Sequence, residues 1–99
     1  MRSVRFSEAA LRDVDEILEY GAARFGKAQA AKYLDGLQRA CELLAKRPNP
    51  GLECAAELGR KRRIWRMHFE SHVIYYRLAR SGVFVVRVLH KRMQPSRHL

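Results

Sequence analysis

Acidic side chains almost vanish from the second part of this 99-residue chain: beyond Glu57 only Glu70 remains. Cysteine is scarce too. Cys41 and Cys54 have no metal-binding spacing, and they are expected as buried, inert thiols rather than a disulfide. The six glycines are scattered, so no loop cradles a phosphate and nucleotide-dependent chemistry has no support. There is no Gly-x-Ser-x-Gly, and no His-x-x-x-His falls on a helical segment. No apolar run approaches the ~18 residues of a membrane span, and the start, Met1 to Ser7, lacks a signal peptide's apolar core. The expectation is a cytoplasmic protein with no membrane contact.

Against those absences stands a strong charge asymmetry. From Met1 to Glu57 nine Lys/Arg balance nine Asp/Glu. From Leu58 to Leu99 eleven Lys/Arg face a single acid, which accounts for the whole net charge of +10. A surface of this kind favours an acidic partner: nucleic acid, an acidic peptide or an acidic protein face.

The hydrophobic pattern predicts a single domain over 1–99. Val4 and Phe6 flank Arg5 as a short first strand. Ser7 follows as an N-cap with Glu8 in the first turn. Leu11, Val14, Ile17, Leu18, Ala22 and Phe25 form one apolar helical stripe, closed by Gly26. Ala30, Tyr33, Leu34, Leu37, Ala40, Cys41 and Leu44 form a second. The very short link makes the two an antiparallel helical hairpin. Pro48 and Asn49-Pro50-Gly51 end it with turn chemistry. Glu53 to Lys61 reads as an irregular connection.

Three strand-like runs follow, around Arg63–Phe69, His72–Leu78 and Val83–His90, with tight links at Glu70-Ser71 and Arg80-Ser81-Gly82. They predict an antiparallel β-meander. Strict alternation puts Trp65, Met67, Phe69, Ile74, Tyr76, Leu78, Phe84, Val86 and Val88 on the face covered by the hairpin. The opposite face then carries Arg66, His68, Val73, Tyr75, Arg77, Val85, Arg87 and Leu89. The expected fold is α+β: an N-terminal strand and a helical hairpin packed on a C-terminal meander.

Candidate chemistry is sparse. Asp13, Asp15, Glu16 and Glu19 are spaced for a solvent-facing surface of the first helix, where Arg12 stands three before Asp15 and four before Glu16. His68 and His72 flank a turn and can approach each other, but no third metal ligand is near in sequence. The basic sheet face is the strongest candidate. Arg66, Arg77 and Arg87 alternate there with Val73, Tyr75 and Leu89, the composition of an interface core.

In order along nearly the whole chain run Phe6-Ser7-x-x-Ala10-x-x-Asp13-Val14-x-x-Ile17, Tyr20, Phe25-Gly26, Ala30-x-x-Tyr33-Leu34-x-x-Leu37, Leu44-Ala45-x-x-Pro48-x-x-Gly51 and His72-Val73-Ile74-Tyr75-Tyr76-Arg77. The end is Val88-Leu89-His90-x-Arg92-x-x-Pro95-x-Arg97-His98-Leu99. This set resembles the RelE/ParE toxin superfamily of bacterial type II toxin–antitoxin systems, and within it the ParE branch. The resemblance implies a RelE/ParE-like fold, growth inhibition through DNA gyrase, plasmid stabilisation, and a ParD-like antitoxin with an acidic C-terminal segment. It implies no cofactor, no catalytic residue, and a homodimer or toxin–antitoxin hetero-oligomer. On that basis Arg87, His90, Lys91, Arg92, Arg97 and His98 are assigned to target binding. Arg66, Val73, Tyr75, Arg77 and Leu89 are assigned to the antitoxin. The alternative is a RelE-like ribosome-dependent mRNA endoribonuclease. Members of that branch commonly carry an arginine where this chain has Val73, and often a C-terminal tyrosine, which this tail lacks. The tail from His90 to Leu99 is expected to add little to the core, with docking of His98 and Leu99 as a structural cap the competing expectation.

Overall fold

The computed structural model describes residues 3–47, 51–55 and 58–99. The expected turn at Pro48 and Asn49-Pro50 lies outside them. The elements are β1 (Ser3–Phe6), α1 (Glu8–Phe25), α2 (Lys27–Lys46), β2 (Leu52–Glu53), β3 (Trp65–Phe69), β4 (His72–Ala79), β5 (Gly82–His90) and a 3-10 turn at Pro95–Arg97. The strands form one mixed sheet in the order β1-β5-β4-β3-β2, with β1 parallel to β5 and the others antiparallel. The fold is α+β as expected. The addition is β2, a two-residue strand pairing with Trp65 and Arg66 at the start of what reads as an irregular connection.

Local chemistry sets the helix ends. The Ser7 side chain accepts from the Ala10 N–H at 2.9 Å, and its hydroxyl donates to the Val86 carbonyl at 2.6 Å. One residue therefore caps α1 and fastens its start to β5. Gly26, at φ 92, closes α1 and opens α2, a conformation an L side chain resists. The hairpin thus turns on a single residue.

The main core lies between hairpin and sheet. It joins Ala10, Leu37, Cys41, Leu44 and Ala45 to Ile74, Tyr76, Val83, Val85 and Val88, all buried. Burial pushes the Cys41 thiol up to about 12, so it stays protonated and behaves as a small hydrophobe. The Tyr76 hydroxyl shares a hydrogen bond with the Gly51 backbone. A Cβ at Gly51 would overlap that hydroxyl.

Three parts of the expected core are corrected. Strict alternation fails in β5. Tyr75 faces Arg87 while Tyr76 faces Val85, so Val86 is the extra residue of a β-bulge. The bulge turns Val83 and Val85 towards the hairpin together with Val88, and sends Val86 to the other side. On α1, Leu11 is 52% exposed and Phe25 65%, so neither holds the hairpin to the sheet. Leu78, near the end of β4, is also exposed.

A second, smaller core covers the opposite sheet face. Cys54, Ala55, Ile64, Val73, Tyr75 and Leu89 are buried there, with Leu58, Val86 and Leu99 packed against them. Cys54, Ala55, Leu58 and Ile64, which lie between β2 and β3, therefore cover the sheet. The Cys54 N–H donates to the Ile64 carbonyl at 2.8 Å and pins the base of this cover.

Candidate functional site

β1 ends at Phe6, opposite Val85, so among the described residues the rest of β5 has no strand on that edge. Asp13 of α1 fills the gap. Its carboxylate accepts from the Val88 N–H at 2.9 Å, from Arg87 Nε at 2.8 Å and from Arg87 Nη2 at 2.8 Å. Arg87 Nη1 donates to the His98 carbonyl at 2.7 Å. The hydrogen bonds from Arg87 to Asp13 raise the guanidinium pKa, against the opposing effect of burial. Two expectations are corrected here. Asp13 is buried rather than solvent-facing. Arg87 is a strut joining α1, β5 and the tail, and its charge is already matched. The signal was present in the sequence: Asp13 stands three after Ala10 and four before Ile17, on the inward stripe.

Beyond this strut a groove of about 620 Å³ opens between α1, the start of α2 and the end of the sheet where β4 begins and β5 finishes. Its walls include Ile17, Tyr20, Phe25 and Met93. Tyr20 is 61% exposed and Met93 45%, so large apolar side chains stand in water at its rim. The Arg24 guanidinium lies 5.5 Å from the Tyr20 ring centroid.

Tyr33, His72 and His90 form a polar corner of the groove. The Tyr33 hydroxyl and His72 Nδ1 are 2.7 Å apart, and the Ser71 N–H donates to that hydroxyl at 3.2 Å. The His72 and His90 rings meet edge-on with centroids 5.4 Å apart. Burial, then the neighbouring His90, lowers the His72 pKa, with Asp13 opposing. Burial raises that of Tyr33. His90 Nδ1 accepts from the Arg92 N–H at 3.2 Å. His72 thus partners His90, not His68. His68 is exposed on β3 opposite Val73. The register gives the reason: His72 sits across from His90 in the β4–β5 ladder.

The residues assigned to the antitoxin from sequence do not form an open face. Val73, Tyr75 and Leu89 are buried in the second core with Cys54, Ala55, Leu58, Ile64 and Leu99. Arg66 and Arg77 are half-buried, and Arg77 Nε has no hydrogen-bond partner among the described residues. Of the residues assigned to the target, Lys91, Arg92, Arg97 and His98 are exposed and His90 is half-buried. The tail is an integral cap. Pro95 accepts backbone hydrogen bonds from His98 and Leu99 at 3.0 and 2.9 Å, and Leu99 packs on the second core. Among the described residues, no three His, Cys, Asp or Glu converge as a metal site, and no helix is long and apolar enough to cross a membrane.

Comparison with known proteins supplies the class. The profile of the family described as ParE toxin of type II toxin-antitoxin system, parDE, matches residues 4–95. The chain is 34% identical over 99 residues to Toxin ParE1 of Caulobacter vibrioides, covering 100% of this chain and 99% of that protein. It is 36% identical over 94 residues to Toxin ParE1 of Mycobacterium tuberculosis, covering 94% of this chain and 93% of the relative. Its fold matches a solved structure, Chromosomal ParDE TA system from P. aeruginosa, with a TM-score of 0.73 at 17% identity over 91% of this chain and 96% of the other. The chain belongs to the ParE toxin family of type II toxin–antitoxin systems.

Proposed function

We propose that the chain is a cytoplasmic toxin of one domain that poisons DNA gyrase by binding rather than by catalysis, and that a ParD-like antitoxin neutralises it. The observation that carries the choice of target is Val73, buried at 4% exposure where the ribonuclease branch commonly holds an arginine. RNA cleavage needs a proton carrier beside a cation that stabilises the transition-state phosphate. Here His72 and His90 share the groove with Asp13 and Glu16, and Arg87 is committed to Asp13. The exposed cations Lys91, Arg92 and Arg97 remain available to an acidic target face.

The antitoxin dock belongs at the groove. Tyr20, Phe25 and Met93 offer the aromatic and thioether anchors that dominate protein interfaces. The sheet face that sequence favoured is already covered. Purified toxin added to gyrase and plasmid tests the reading. Supercoiling is expected to fail and cleaved DNA to accumulate. Codon-dependent mRNA cleavage on ribosomes with gyrase untouched would transfer the chain to the ribonuclease branch.

A further inference from the structure

The two ends of the sheet differ in kind. The groove sits where β4 begins and β5 ends. At the other end β3 enters the sheet beside the end of β4, since Trp65 pairs with Tyr76. Just before that entry come four consecutive cations, Arg60-Lys61-Arg62-Arg63, every one exposed. β4 carries Arg77, and Arg80 follows its last residue, Ala79, at the same end. Among the described residues none of these side chains makes an ion pair.

The arm that carries them is built. Gly59 takes φ 66, and the Arg60 N–H then reaches the Ala55 carbonyl at 2.9 Å. Ile64, immediately after the run, is 1% exposed and anchored in the second core. The four cations are thus held between two fixed points, on a short stretch with no apolar residue. Concentrating like charges in this way is unfavourable through self-repulsion, and nothing in the small core requires it.

We propose that this cationic end grips the phosphate backbone of duplex DNA, independently of sequence and of gyrase. Two features choose this ligand. Arginine serves protein interfaces as well, but their buried centres are built on aromatic and apolar anchors, and the run Arg60–Arg63 offers neither. Single-stranded nucleic acid is held by cations together with stacking aromatics. The exposed aromatics here, Tyr20 and Phe25, are at the groove end. Cations without stacking or base-reading groups match a duplex backbone, which is neutralised charge by charge.

The test uses toxin alone and a fluorescent 20-base-pair duplex of arbitrary sequence, titrated over a salt series by anisotropy. Each phosphate contact contributes about −0.9 to the slope of log affinity against log salt. Lys61→Gln, Arg62→Gln and Arg63→Gln together are expected to flatten the slope by about 2 to 3 and to weaken binding at low salt at least roughly tenfold. Lys27→Gln, Lys32→Gln and Lys46→Gln together remove the same charge from exposed positions on α2 and are expected to keep the parent slope. Arg80→Gln, a single change at a turn, is expected to remove about one contact even if the triple variant fails to fold. Absence of duplex binding by the parent at low salt overturns the proposal. So does an equal loss in the α2 variant, which assigns binding to net charge alone. A triple variant that keeps its DNA slope but loses an acidic antitoxin segment overturns it in favour of a protein partner.

Discussion

At the scale of single residues, Asp13 carries more of the fold than any other described acid. It replaces a missing strand for the Val88 N–H and neutralises Arg87 in a largely buried setting. Removing one partner of such a pair strands the other, at a cost of about 3–5 kcal/mol. Asp13→Ala is therefore expected to lower unfolding free energy by roughly 3 kcal/mol or more, measured in urea. Asp13→Ala with Arg87→Ala should lose clearly less than the sum of the two single changes. Strictly additive losses would show that the two side chains are not coupled. His72 gives a pH prediction. Burial and His90 depress its folded-state pKa below the ordinary value of 6.5. Below 6.5 the unfolded chain then binds more protons than the folded one, so stability falls as pH falls. His72→Gln should flatten that part of the stability–pH curve relative to the parent. An unchanged slope would remove His72 as its source.

At the scale of elements, the tail was the point at which sequence and structure parted most. Its cations suggested a contact segment, yet His98 and Leu99 bind back to Arg87 and the second core. A hydrogen bond to a charged group contributes about 1.5–3 kcal/mol. Deleting Ser96 to Leu99 should therefore cost about 2–3 kcal/mol and lower Tm markedly. Arg92→Gln with Arg97→Gln, both at exposed positions, should stay within about 0.5 kcal/mol of the parent. Retained toxicity in that stable double variant would remove these arginines from the target contact. The helices and the meander were legible because Ser7, Gly26 and the short turns punctuate a clean apolar period. The bulge at Val86 was not. Val83-Phe-Val-Val-Arg-Val88 is apolar at nearly every position, so alternation cannot say which side chain is the extra one. β2 was hidden because two residues have no period at all, and their pairing is imposed by the covering segment. The outward Leu11 and Phe25 were misread because an apolar helical residue looks alike whether it meets a core, as expected, or solvent, as Leu11 does, or a groove, as Phe25 does.

At the scale of the whole molecule, the groove and the cationic arm lie at opposite ends of the strands, with two small cores between them. Such a layout separates an apolar dock from a charged one, and the two should fail independently. Tyr20 and Phe25 are more than half exposed, so shortening them leaves the main core intact. Surface changes of this kind usually alter stability by less than about 0.5 kcal/mol. Aromatic anchors of an interface, in contrast, cost 2 kcal/mol or more when truncated, about 30-fold in affinity each. Tyr20→Ala is accordingly expected to melt like the parent, to keep its toxicity, and to bind the cognate antitoxin about 30-fold more weakly. In cells making both proteins, that variant should escape neutralisation and slow growth. Its affinity for duplex DNA and the salt slope should be those of the parent, because Tyr20 is remote from Arg60 to Arg63. Isothermal titration with the antitoxin's acidic segment measures the first quantity and the anisotropy titration the second. Parental antitoxin affinity in both Tyr20→Ala and Phe25→Ala would move the dock off the groove. The antitoxin would then have to meet the toxin on a surface that exposes no comparable pair of aromatic anchors among the described residues.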